Sequence, residues 1–341
     1  MAVSTRVLDP IDLTSRGVTL SASSLAPQEL ERYRRELTGY CYRMLGSGFE
    51  ADDAVQDTMV RAWKAADSFE GRSSVRSWLY RIATNVCLDM LRGRERRARP
   101  MELVSSSPPD AAHLGAMLPE HAWVSPIADE RVLPDEADPA EIAVSRETIR
   151  LAFVTALQHL PARQRAVLIL CQVLRWQATE VAELLGTSVP AVNSALQRAR
   201  ATLVALHPDE ARPEVVDADR QALLARYVDA FERYDVATLV TLLRDDAVQS
   251  MPPYAMWIQG AINIGRWLAG PGKECDGSRL LPVAANGCAG FGQYRPDGAG
   301  GHRAWALQVI EVSGDRISGF HSFLDVGHLF PAFGLPSELP A

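Results

Sequence analysis

Residues 101–145 divide this chain. They hold nine acidic side chains against one basic side chain, Arg131, together with six prolines. No helical or strand period runs through them. Like charges spread a backbone and prolines stiffen it, so the stretch predicts an extended linker over 101–143, not a core element. Whatever folds on either side must bury its own apolar surface. With 341 residues and 47% apolar content there is enough of it for two or three domains.

Charge is segregated along the chain. Residues 28–100 carry 14 basic and 11 acidic side chains, residues 146–206 seven and three, and residues 207–341 eleven and 17. Two mildly basic blocks thus flank the acid stretch, and an acidic block follows. Basic blocks of this kind point to nucleic-acid contact. No run of about 18 apolar residues predicts a membrane span, and no secretory leader is evident. Cys41, Cys87, Cys171, Cys275 and Cys288 are scattered and form no paired motif. They read as reduced thiols in a cytoplasmic protein, with no metal site and no cofactor expected.

Residues 1–27 read as a flexible leader. From 28 to 100 the apolar spacing is helical, in three stripes built on Leu37–Leu45, Ala54–Trp63 and Trp78–Leu91. Trp78 lies on its stripe and reads as a core anchor. The polar loop Asp67–Ser74 separates the last two, with a helix cap at Ser73 or Ser74. The second helix opens on Asp52-Asp53-x-x-Gln56-Asp57, which places exposed acids on one turn. Residues 144–206 are helical again. Thr179–Leu185 followed by Gly186 reads as the first helix and tight turn of a helix-turn-helix, with glycine supplying the left-handed residue. Ser188 then caps a second helix over 189–206, with Pro190 in its first turn.

Taken in this order, the two blocks resemble regions 2 and 4 of the extracytoplasmic-function sigma factors of RNA polymerase. The resemblance implies that Asp52, Asp53, Gln56 and Asp57 meet the β′ coiled coil. It implies that Asp67, Ser68, Phe69, Arg72, Ser73, Ser74, Arg76, Tyr80, Arg81, Asn85 and Arg92 lie along the promoter −10 element, where a flipped base is read on its edge. The arginines that end this block, with Arg94, Arg96, Arg97 and Arg99 beside Arg92, are candidates for phosphate contact. In the second block, which would bind the β flap, the −35 element would meet Ser188, Pro190, Ala191, Asn193, Ser194, Gln197, Arg198 and Arg200. No Lys or Arg stands in the first two turns of that helix, so shape and phosphate contacts carry more of this recognition. No region 3 separates the blocks. The resemblance further implies that the linker threads toward the RNA exit path, and its charge alone suggests that Asp129, Glu130, Asp135, Glu136 and Asp138 occupy a basic channel built for RNA.

After a short linker over 207–216 the character changes. Helical stretches at 220–234 and 236–243 precede alternating segments at 288–294, 303–312 and 316–324, which read as antiparallel strands joined at glycine-rich turns. Residues 217–333 resemble the SnoaL-like branch of the NTF2-like fold, a cone of helices against a curved sheet, with 334–341 left as a tail. Tyr254, Trp257, Tyr294, Trp305, His321 and Asp325 are the candidates for a pocket in the cone that takes an unknown small ligand. The expected architecture is therefore multidomain: two all-α sigma domains and a C-terminal α+β cone. The expected function is promoter-specific initiation with core RNA polymerase, modulated in cis by contact between the cone and the sigma domains, with no catalytic residue. An active isomerase, cyclase or hydrolase in the cone, and a helix-turn-helix regulator that works without polymerase, are the alternatives.

Overall fold

The computed structural model describes residues 27–71, 73–134, 138–206 and 217–340. The leader, Arg72, Asp135, Glu136 and the 207–216 linker lie outside the described residues.

The first block is a helical bundle of α1 (Pro27–Glu31), α2 (Arg34–Leu45), α3 (Gly48–Ala65) and α4 (Val75–Met90). Gly46, at φ 74°, closes α2 in the left-handed conformation. Ser47 caps α3 by accepting from the Glu50 N–H. Of the two serines expected to cap α4, Ser74 does so, accepting from the Ser77 N–H. After the short α5 (Pro100–Leu103), the second block comprises α6 (Pro139–Glu147), α7 (Leu151–Gln158), α8 (Ala162–Leu168), α9 (Ala178–Leu185) and α10 (Val189–Leu206). Gly186, at φ 60°, makes the tight turn between α9 and α10.

The linker corrects the expectation of a self-repelling tether. Trp123, Val124, Ile127, Ala128, Val132 and Leu133 are buried. Ala98 pairs with Trp123, Met117 with Tyr254, and Ala128 with Ala285 as isolated bridges. Leu118 N–H donates to Pro253 O at 2.9 Å, and Ser107 N–H to Trp257 O at 2.8 Å. Apolar residues scattered among the acids outweigh the repulsion, because they find walls on both sides: Val132 and Ile127 lie against Gly39 of α2 and Gly48 of α3, and Ala128 bridges to Ala285 of the third domain.

That domain holds α11 (Asp217–Glu232), α12 (Val236–Leu242), α13 (Ala261–Ala269) and α14 (Val326–Ala332). Its strands are β1 (Leu243–Ser250), β2 (Trp257–Gln259), β3 (Arg279–Ala285), β4 (Cys288–Pro296), β5 (His302–Ser313), β6 (Arg316–Phe323) and β7 (Glu338–Leu339). They form one sheet in the order β2-β1-β6-β5-β4-β3, with β7 on β5; β1 and β6 run parallel and the other pairs antiparallel. Residues 334–340, set apart as a tail by their position, thus complete the sheet.

Each face of this sheet carries a buried apolar cluster. Phe291, Ile310, Ile317 and Phe320 form the cone core with Tyr227 and Phe231 of α11, Leu239 of α12 and Trp267 of α13. On the opposite face Cys288, Tyr294, Leu307, Val309 and Phe323 belong to the cluster that also holds Tyr42, Val124, Ile127 and Ile149 of the sigma blocks and the linker.

Candidate functional site

The acid turn of α3 faces outward in part. Asp53 and Gln56 are exposed. Asp57 pairs with Arg61 at 2.7 Å, and Asp52 pairs with Arg131 of the linker. The linker therefore occupies one of the four residues expected to meet polymerase.

The −10 set divides likewise. Asp67, Ser68, Ser74, Asn85 and Arg92 are exposed. The Phe69 ring lies 4.9 Å from that of Trp78, Ser73 is half-buried, and Arg92 pairs with Asp89 at 3.0 Å. Tyr80 is a correction. It is fully buried, 5.1 Å from the rings of both Tyr40 and Trp176, and offers no face to a base. Arg76 is another: its guanidinium lies 5.2 Å from both the Tyr80 and the Trp176 rings and pairs with Glu36 at 3.0 Å. Arg81 lies 3.7 Å from Glu183 of α9. All three sit where α4 meets the second block, which the alternation of polar and apolar residues along α4 did not disclose.

The arginines after α4 are claimed too. Arg94 pairs with Glu50, and Arg96 pairs with Glu102 at 2.8 Å. Arg97 is buried, pairs with Glu50 at 2.9 Å and donates to Trp123 O at 2.6 Å. Arg99 reaches Glu311 of β5 at 3.4 Å. Arg97 and Arg99 therefore hold the linker and the third domain, not phosphate. By contrast Ser188, Pro190, Ala191, Asn193, Ser194, Gln197, Arg198 and Arg200 all present exposed positions on and before α10, with Arg198 Nη1 donating to Ser194 Oγ at 2.7 Å.

The two sigma blocks pack on each other. Arg43 of α2 donates to Thr148 O and Oγ1 at 3.1 and 2.8 Å. Arg165 of α8 donates to Met44 O and, at 2.6 Å, to Gln158 Oε1. Burial pulls both guanidiniums down to about 10, so each stays charged at neutral pH.

Asn286 joins all parts of the molecule. It is fully buried and sits at φ 55° in the Asn-Gly turn between β3 and β4. Its Nδ2 donates to Tyr42 Oη and to Ile149 O, both at 2.6 Å, and its Oδ1 accepts from Ile127 N–H at 3.0 Å. Those partners belong to the first block, the second block and the linker. Next to it, Gly287 N–H donates to the buried Asp129 carboxylate at 2.8 Å, whose pKa burial raises against that bond. Asp129 thus faces inward and is unavailable as an RNA mimic. The signal for this site was present in the sequence: Asn286-Gly287 between two alternating segments is a strong hairpin marker.

Of the six cone candidates the structure brings two together. Tyr254 and Trp305 line a cavity of about 600 Å³. Trp257 lies off its wall and donates to Val104 O at 2.8 Å. Tyr294 and His321 are corrections: both project from the opposite face of the sheet, Tyr294 onto Phe330 at 5.2 Å and His321 toward Ser250 Oγ at 2.8 Å. Asp325 lines a different void, beside Phe49 and Trp123, and pairs with His328 at 2.9 Å. Among the described residues lining the cone cavity, Glu274 is the one carboxylate, and it pairs with Arg295 at 2.9 Å. No second carboxylate joins it among these residues, so the converging acid pair that would support an isomerase or hydrolase reading is not formed by them.

Known proteins carry the same two blocks. The family descriptions Sigma-70 region 2 and Sigma-70 region 4 match residues 30–97 and 150–203. The ECF RNA polymerase sigma factor SigG of Mycobacterium tuberculosis is 47% identical over 313 residues, covering 91% of this chain and 83% of that protein. SigJ of the same organism is 27% identical over 84% of this chain and 86% of its own length. The crystal structure of SigJ superposes with a TM-score of 0.59 at 22% identity, covering 91% of this chain and all of that one, and shows the shared fold. With regions 2 and 4 both matched and 47% identity to SigG over 91% of the chain, the chain belongs to the extracytoplasmic-function RNA polymerase sigma factors.

Proposed function

We propose that this chain binds core RNA polymerase and directs it to promoters, and that the arrangement described above is its resting state, held shut in cis by the C-terminal domain. The −10 and −35 elements are named for positions 25 base pairs apart, about 85 Å along B-DNA at about 3.4 Å per pair. Here α4 touches the second block, through Arg81 on Glu183 of α9 and through Tyr80 on Trp176 just before α9. A molecule folded this way spans one element at a time, so initiation requires the blocks to part. One observation carries the reading: a single buried side chain of the C-terminal domain, Asn286, bonds region 2, region 4 and the linker together.

The reading assigns no chemical step to the cone and places the protein with the chromosome in the cytoplasm. Consistent with that, among the described residues no helix is long and apolar enough to cross a membrane. The exposed Asp53 and Gln56 supply the polymerase contact in the resting state, and Asn85 and the face of α10 supply base contacts once the blocks separate. Run-off transcription with purified core polymerase tests it, using the full chain and a truncation ending at Leu206. The truncation should be the more active. Equal activity removes the role of the C-terminal domain, and failure of both on a genomic promoter pool removes the promoter reading.

A further inference from the structure

We propose that the cone binds an apolar hydroxy acid and that the linker between the two sigma domains is the lid over that site. The cavity of about 600 Å³ has the size of a small-metabolite pocket. Phe231, Trp267, Leu268 and Phe320 form its apolar body, while Leu114 and Met117 of the linker close one side. The Met117–Tyr254 bridge and the Leu118 N–H bond to Pro253 O fasten that side to the domain.

Polar groups mark the two ends of the ligand. Gln249 is 3% exposed, and its Oε1 is buried without a hydrogen-bond partner among the described residues. Its neighbours are already satisfied. Tyr227 Oη donates to Gln308 Oε1 at 2.8 Å, Gln308 Nε2 to Gln293 Oε1 at 2.9 Å, and Gln293 Nε2 to Ser278 Oγ at 3.1 Å. Outside that relay the Gln249 oxygen is an unclaimed acceptor among the described residues of the wall, and buried acceptors are normally met by a donor. A hydroxyl on the ligand meets it.

The other end is positive. Arg295 and Arg303 face each other across β4 and β5. Register skips between Gln293 and Tyr294, leaving Trp305 as the extra residue of a bulge. The bulge turns Trp305 to the cavity, with Arg295 Cζ 3.4 Å from its ring centroid. Glu274 neutralises Arg295. Arg303 is exposed and has no ion pair among the described residues. Two opposed guanidiniums against one carboxylate leave a net positive charge, which favours an anion and rejects a cation.

Because linker residues build one wall, an occupant gains contacts only while the linker is seated. It therefore favours the closed molecule over the open one. This regulatory consequence rests on the resting-state reading above, whereas the site itself does not.

Isothermal titration of the full chain with 10-hydroxydecanoate, 1,10-decanediol and decyltrimethylammonium tests the site without polymerase. The hydroxy acid should bind and the cation should not. Arg303→Gln should weaken the hydroxy acid roughly tenfold, the scale of a charge-assisted bond, and leave the diol unchanged, which also shows that the cavity is still folded. Gln249→Leu should weaken both the acid and the diol. No binding of 10-hydroxydecanoate, equal binding of the cation, or indifference of the acid to Arg303→Gln overturns the site. Run-off transcription with added 10-hydroxydecanoate is the separate arm. Binding without a fall in full-chain activity keeps the site and removes its coupling to closure.

Discussion

The side-chain amide of Asn286 lies 2.6 Å from the phenol oxygen of Tyr42, across 244 residues of sequence. Tyr42 passes the bond on, donating from the same oxygen to Ser125 O at 2.9 Å. Burial pushes the Tyr42 phenol above its ordinary range, so it remains a neutral donor at every physiological pH. The first sigma block, the linker and the cone therefore share one short buried relay.

Removing that amide should open the molecule. Asn286→Gly keeps the left-handed turn, which glycine adopts freely, and deletes three side-chain bonds whose partners are buried. At about 1 kcal/mol each, the loss is about 3 kcal/mol and shifts the closed–open equilibrium by about 100-fold. Fluorescence energy transfer between labels on α3 and α10 should fall, and run-off activity should rise. Unchanged transfer would show that closure rests elsewhere.

Acid should also loosen the closed state. His321 is buried among Arg99, Val124 and Leu151, where the third domain meets the sigma blocks. Burial lowers its pKa below the ordinary 6.5, outweighing Glu311, whose Oε2 stands 3.5 Å from Nε2. The closed form thus binds fewer protons than the open or unfolded form. Stability is full above about pH 6.5 and is lost as pH falls below it. A melting-temperature series from pH 8 to pH 5 should show this decline, and His321→Gln should flatten it. A parallel decline in both proteins would assign the effect to other groups.

On α3, charge reversal and release act in opposite senses. Asp53→Lys removes an exposed carboxylate from the face offered to polymerase and should weaken core binding at least tenfold, by about 1.4 kcal/mol. Arg131→Ala frees Asp52 from the linker and should strengthen it. Surface binding of both variants to immobilised core polymerase decides the matter. An unchanged affinity for Asp53→Lys would move the polymerase contact off this turn.

Along α10 the two side-chain types separate specificity from affinity. Asn193→Ala should lose about 1–3 kcal/mol of discrimination at one base position. Arg198→Ala should weaken all sequences alike and lower the salt slope by about one. Competition binding of an activated variant, such as Asn286→Gly, to a −35 library at two salt concentrations distinguishes the two.

The helical architecture was legible because its signals are local. Ser74 caps α4, Gly186 turns α9 into α10, and the polar face of α10 lies on the residues its period places there. What was not legible depends on what lies opposite. Period two along β4 and β6 separates Phe291 and Phe320 from Tyr294 and His321, but both sets are buried, so alternation alone does not name the cone side. Arg76 and Tyr80 look like nucleic-acid ligands until Trp176 arrives from the second block. In the linker, net charge masked Trp123, Ile127 and Val132, whose value appears only against a wall supplied by distant residues.

A sheet with apolar clusters on both faces has a thermodynamic consequence. If the sigma blocks and the linker leave, His321 and Phe323 lose the cover that Val124 and Leu151 give them. Hydrating that apolar area raises the heat capacity, so the enthalpy of opening grows with temperature and the balance between shut and open is curved, not monotonic. The same area makes a freed C-terminal domain adhesive. Activation is then better viewed as an exchange of coverings than as a release: the surface that the sigma blocks leave needs another partner or stays costly to expose.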